Sequence, residues 1–162
     1  MFDEKLIGII SEHLLANKQT IAVAESVTSG LVQAAISQGE EASGFFQGGI
    51  TAYNLGQKYK FLSVEPIHAM SCECVSEKVA QQMALAVCRM FLSDYGCAVT
   101  GFATTVPEKG INYLYAFIAL AYKGKIIAVT KATADKQGLP AQLSYCNKVL
   151  ETLEKNLVDE KR

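Results

Sequence analysis

The 162-residue chain has no tryptophan and only 3 prolines. It has no apolar run near the roughly 20 residues needed to span a bilayer. Neither sign of charge dominates: 15 Lys and Arg face 16 Asp and Glu, for a formal net charge of -1. Nucleic-acid binders usually carry a basic surplus, so no nucleic-acid partner is expected. The start Met1-Phe2-Asp3-Glu4-Lys5 lacks the basic-then-apolar order of a secretory signal. No membrane partner is expected either. The G-x-x-x-x-G-K, G-x-G-x-x-G and H-E-x-x-H patterns are missing, which argues against nucleoside triphosphate, dinucleotide and zinc-peptidase chemistry. The 5 cysteines are odd in number and scattered, which fits reduced thiols and a cytoplasmic location rather than a disulfide framework.

What is present is a core. Half the residues are apolar and 19% are charged. A chain of this length buries roughly 70% of its unfolded surface, so a single domain over residues 1–162 is expected. The start at Met1 and the complete first amphipathic repeat suggest that it stands alone.

Phe2, Leu6, Ile10 and Leu14 predict a helix closed by Asn17-Lys18. Residues 20–24, TIAVA, predict a buried strand, and Leu31 to Ser37 a helix. Gly48-Gly49 leads into a strand over residues 50–53, and a short helix follows over 57–62. Ser76 is the expected N-cap of a helix with Val79, Met83, Val87 and Phe91 on its apolar face. Residues 97–100 predict a strand, 102–110 a loop, and 113–122 with 126–133 a hairpin around Lys123-Gly124-Lys125. Leucines and Cys146 at alternating four and three spacing predict a last helix with Pro140 in its first turn. The order predicts a three-layer α/β/α fold with a mixed, largely parallel sheet and a C-terminal hairpin plus helix.

Ligands in such folds sit beyond the carboxyl ends of strands. Residues 24–30, AESVTSG, lie between a strand and a helix. There Ser26 is a candidate nucleophile, and N–H groups from Val27 to Gly30 are candidate anion or oxyanion donors. Ser and Thr are also ordinary helix caps. Tyr53 and Lys58 follow the second strand. A lysine can serve as the base for a serine if it is neutral, which at an ordinary pKa costs about 4–5 kcal/mol at pH 7. Burial removes part of that cost. The loop from Thr100 to Gly110 is a candidate cover over a ligand. His68, Cys72 and Cys74 have metal-ligand chemistry but no convincing fourth partner, so no metal site is expected.

Taken together, these segments resemble the CinA C-terminal domain family of nicotinamide-nucleotide amidases. Residues 20–30, TIAVAESVTSG, resemble its A-E-S-C-T-G-G signature, and residues 49–58, GITAYNLGQK, its G-x-V-x-Y-S-x-x-x-K segment. Phe61-Leu62-Ser63-Val64, Val75-Ser76-Glu77 and Val99-Thr100-Gly101-Phe102-Ala103 resemble further segments in the same order. The resemblance implies hydrolysis of the carboxamide of nicotinamide mononucleotide to the nicotinate and ammonia. It implies Ser26 as nucleophile, Lys58 as base and Tyr53 as assistant, with no cofactor. The implied substrate-binding set is Glu25, Val27, Thr28, Ser29, Gly30, Gly49, Thr100, Gly101, Ala103 and Thr104. The implied partner is a nucleotide-like small molecule.

The departures from the family pattern fall on ligand-cradling parts. Val27 replaces a cysteine, Ser29 a glycine and Asn54 a serine. Cys72-Glu73-Cys74 stands for histidine-glycine-alanine. Residues 103–107, ATTVP, have lost the glycines of A-G-P-x-G-G. Asn112-Tyr113 replaces a glycine-threonine pair, and Pro140 falls where an arginine is expected. A catalytically silent relative that binds a nucleotide or a protein partner is therefore the alternative. A zinc module at His68, Cys72 and Cys74 is the third reading. The apolar hairpin and the leucine-rich last helix also raise the expectation of a homo-oligomer.

Overall fold

The structure, a computed structural model, describes residues 1–159. Its elements are α1 (Glu4–Ala16), β1 (Ile21–Glu25), α2 (Leu31–Ile36), β2 (Phe46–Thr51), α3 (Leu55–Leu62), α4 (Pro66–Ser71), α5 (Glu77–Met90), β3 (Tyr95–Gly101), β4 (Leu114–Tyr122), β5 (Lys125–Ala134) and α6 (Leu139–Asp159). The five strands form one sheet in the order β2-β1-β3-β4-β5. β1 runs parallel to both β2 and β3, and the β4–β5 hairpin adds antiparallel to β3.

Alternation along the strands sorts the two faces. Ile21, Val23, Cys97, Val99, Ile118 and Leu120 point to the side covered by α1, α2 and α6. Ala22, Ala24, Ala98, Ala119 and Ala121 point to the side covered by α3, α4 and α5. The alanine face lets α5 lie close: a Cβ on Gly96 would stand 2.2 Å from the carbonyl oxygen of Ala84. The expected α/β/α layering is thus present.

β2 and α4 depart most from expectation. β2 begins at Phe46, so Gly48-Gly49 lies inside the strand. Gly48 has φ +109, where β1 and β2 shift register between Ile21 and Ala22. A Cβ on Gly49 would meet the Val23 carbonyl at 2.5 Å and the Gln33 side chain at 2.7 Å. The glycines signal close packing here, not a turn. α4 was not anticipated, although Glu65 caps it by accepting from Ile67 and His68 N–H, with Pro66 in its first turn. The leucine stripe of α6 is buried within the chain, with Leu150, Leu153 and Leu157 in the core.

Candidate active site

The chain order of β1, β2 and β3 reverses across β1, and a cavity of about 670 Å³ opens beyond their carboxyl ends. Ser26 and Val27 line it from the end of β1. Tyr53, Asn54 and Lys58 line it from the end of β2 and from α3. Thr100, Gly101, Ala103 and Thr104 line it from the end of β3.

Ser26 holds its position because its N–H extends the ladder to the Val99 carbonyl. Asn54 caps α3 by accepting from Gln57 N–H at 3.0 Å, so Lys58 falls on the first turn after the cap. Lys58 is only 1% exposed. Its Nζ lies 2.7 Å from Ser26 Oγ, 2.9 Å from the Ala52 carbonyl and 3.2 Å from the Tyr53 carbonyl. Neither ion pair among the described residues includes Lys58. Burial pushes its pKa down to about 8, with a small opposing effect of the neighbouring Cys74. The Cys74 thiol itself is pushed up, chiefly by burial. As an ammonium the amine donates to Ser26 Oγ and to both carbonyls; once neutral, its two N–H bonds can serve the carbonyls while its lone pair accepts the serine proton.

Tyr53 contributes its carbonyl to Lys58, while its ring is 72% exposed at the cavity mouth. Thr100 is fixed by its hydroxyl donating to the Cys74 carbonyl at 2.8 Å.

Five residues of the implied binding set stand outside the cavity lining. The Glu25 carboxylate is fully buried and points at the start of α2. It accepts from the Thr28 hydroxyl and from the N–H groups of Gly30, Val32 and Gln33 at 3.1, 3.0 and 2.8 Å. Glu25 and Thr28 thus cap α2 rather than face the cavity. Ser29 and Gly30 make the left-handed turn into α2, with φ of 50 and 100, and Gly49 is enclosed in the sheet. The donors expected from the whole stretch narrow accordingly. Gly30 N–H is taken by Glu25 and Ser29 N–H by the Ser26 carbonyl. The N–H groups of Val27 and Thr28 bond to no acceptor among the described residues.

The cavity also gathers residues to which the sequence assigned no part in the amidase site. Gln142 of α6 donates to the Val27 carbonyl at 2.7 Å, tying the last helix to the serine turn. Met70 comes from α4, Glu73 and Cys74 from the α4–α5 connection and Lys109 from a 3-10 turn in the loop after β3. No local motif announces them, because tertiary contact alone brings them together. The proposed zinc ligands do not converge. His68 Nε2 lies 2.8 Å from Ser76 Oγ, and the Cys72 thiol donates to the His68 carbonyl. Among the described residues no group of three or more metal-ligating side chains comes together.

Comparison with known proteins agrees with the fold. The competence damage-inducible protein A of Klebsiella pneumoniae superposes with a TM-score of 0.91 over 98% of each chain at 20% identity. A second Klebsiella pneumoniae protein of the CinA superfamily gives 0.89 over 96% of this chain and 97% of its own. A "CinA-like protein" of Synechocystis is 37% identical over 121 residues, 72% of this chain and 29% of that protein. A "putative competence-damage inducible protein" of Streptococcus pneumoniae is 35% identical over 119 residues, 74% of this chain and 28% of its own length. The chain therefore spans under a third of the length of these relatives. Residues 3–157 match the CinA C-terminal domain, and the chain belongs to that family.

Proposed function

We propose that the chain is an amidohydrolase of the nicotinamide mononucleotide deamidase type, converting a linear carboxamide to the carboxylate and ammonia. The observation that carries this reading is the 2.7 Å contact between Ser26 Oγ and the buried Lys58 Nζ. In the reaction, Lys58 takes the proton of Ser26 as Oγ attacks the amide carbon. The oxygen of the tetrahedral intermediate lies against Val27, whose unengaged N–H acts as a donor worth roughly 3–4 kcal/mol in comparable sites. Collapse breaks the C–N bond as the Lys58 ammonium protonates the departing nitrogen, which leaves as ammonia. Water then attacks the acyl-serine, giving a proton to Lys58, and Lys58 passes that proton to Ser26 Oγ as the acid is released. Two carbonyls, not a carboxylate, hold Lys58, so nothing stabilises its charged form strongly between steps. Tyr53 forms one wall of the mouth. The reaction needs no cofactor, and it suits a cytoplasmic enzyme of pyridine-nucleotide salvage.

Ammonia release from nicotinamide mononucleotide, with the riboside and free nicotinamide in parallel, tests the reading. Release by the wild type that disappears in Ser26→Ala supports it. Release that survives Ser26→Ala overturns the mechanism. Stoichiometric binding without turnover by folded protein would instead favour the silent binding relative, a reading that the altered loop over residues 103–107 keeps open.

A further inference from the structure

Positive charge is scarce in the cavity. Besides Lys58, one cation among the described residues lines it: Lys109. Its Nζ lies 2.8 Å from the carboxylate of Glu73, which lines the same cavity. The pair joins the turn after α4 to the loop after β3 across the rim, and among the described residues no arginine lines the cavity. Two helix starts that flank the cavity are also engaged. The N–H groups of α2 point to Glu25, whose buried carboxylate lies one residue behind Ser26. The first turn of α3 is capped by Asn54. The remaining polar lining from Asn54, Thr100, Thr104 and Gln142 is uncharged. A phosphate monoester brings about -1.5 to -2 charges near neutral pH, and desolvating them without a matching cation is unfavourable.

We propose that this site selects carboxamides that carry no phosphate, with Glu73 as the specificity-determining residue that occupies Lys109 and repels an anionic substrate. The proposal rests on the amidase reading of the same cavity and moves its preferred substrate from the mononucleotide to the unphosphorylated carboxamide. A nucleoside-sized carboxamide, neutral or cationic, fits the charge balance, because Glu73 neutralises the rim cation and hydroxyls and amides cover the rest.

The test is calorimetric binding, which does not depend on turnover. Ser26→Ala protein is titrated with nicotinamide riboside and with nicotinamide mononucleotide, and the pair is repeated with Glu73→Gln added. The riboside is expected to bind at least about ten-fold more tightly than the mononucleotide, and Glu73→Gln to shift that ratio about ten-fold towards the mononucleotide by releasing Lys109. Adding Lys109→Gln to the Glu73→Gln protein should remove the gain. Equal or tighter binding of the mononucleotide to Ser26→Ala, a ratio unmoved by Glu73→Gln, or binding of neither compound overturns the proposal. Riboside selection by a protein that releases no ammonia in its wild-type form would leave the selection standing and sink the amidase reading alone.

Discussion

Ser26 and Lys58 are separated by 32 residues in sequence, yet their hydroxyl oxygen and amine nitrogen lie 2.7 Å apart in a pocket that excludes water from the lysine. The backbone carbonyls of Ala52 and Tyr53 complete the shell of the amine. This is the arrangement in which a lysine gains most from being neutral, and it sets the first two expectations.

Activity should rise with pH and reach half its plateau near 8, because the neutral form of Lys58 is the working base and its pKa is about 8. Below that point the neutral fraction falls roughly ten-fold per pH unit. A profile of kcat/KM against pH checks this. Lys58→Arg, which keeps its charge, should be inactive throughout the range.

Lys58 should also leave its mark on stability. Its folded pKa of about 8 lies below the unfolded value of 10.5, so the unfolded chain binds the extra proton between these values. Stability contributed at this position therefore increases with pH across the window and is smallest below pH 8. The stability difference between wild type and Lys58→Met should move in favour of the wild type by about 3 kcal/mol from pH 7 to 10.5. Chemical denaturation of both proteins at the two pH values measures it. An unchanged difference would mean that Lys58 is solvated in the native state.

Ser26→Ala should lower kcat by about 10⁴-fold or more if the serine is the nucleophile. Its effect on folding should stay near 1 kcal/mol, the typical worth of one lost hydrogen bond. Steady-state kinetics and thermal unfolding of the same sample separate the two.

Glu25 should behave as a structural residue. Its carboxylate serves the N–H groups of Gly30, Val32 and Gln33. Glu25→Gln puts an amide donor among these donors and should cost about 3 kcal/mol of stability. If unfolding is unchanged while KM rises, Glu25 binds substrate after all.

Gly49→Ala should likewise be a stability variant. The added methyl meets the Val23 carbonyl and the Gln33 side chain, and the overpacking should cost about 1–3 kcal/mol. A denaturation midpoint equal to that of the wild type would show that β2 yields easily at this point.

Several features were legible because they rest on local rules. Ser76 caps α5 by accepting from Val79 N–H, as its place before an apolar periodicity implies. The four-and-three leucine spacing of α6 matches the face it buries. Glu65-Pro66 was an equally local signal for α4 and went unused. Gly48 and Gly49 misled for a physical reason. Glycine marks both turns and places where another chain segment comes within contact distance, and only the packed neighbours distinguish the two. Glu25 misled in the same way. A carboxylate at a strand end suits a ligand site or a helix cap, and the choice depends on where α2 begins in space.

By itself the sequence determined the alternation of elements, the two unlike faces of the sheet and the order of the Ser26, Tyr53 and Lys58 segments. These follow from periodicity, capping and motif order, which are properties of neighbouring residues. Tertiary structure alone decided that Lys58 is buried without a counter-ion, that Tyr53 serves it through a carbonyl, and that Glu25 faces α2. It also placed Glu73 and Lys109 together across the rim. Those facts depend on distances between segments far apart in the chain, and a lysine's charge state is set by what surrounds it in space rather than by what precedes it in sequence.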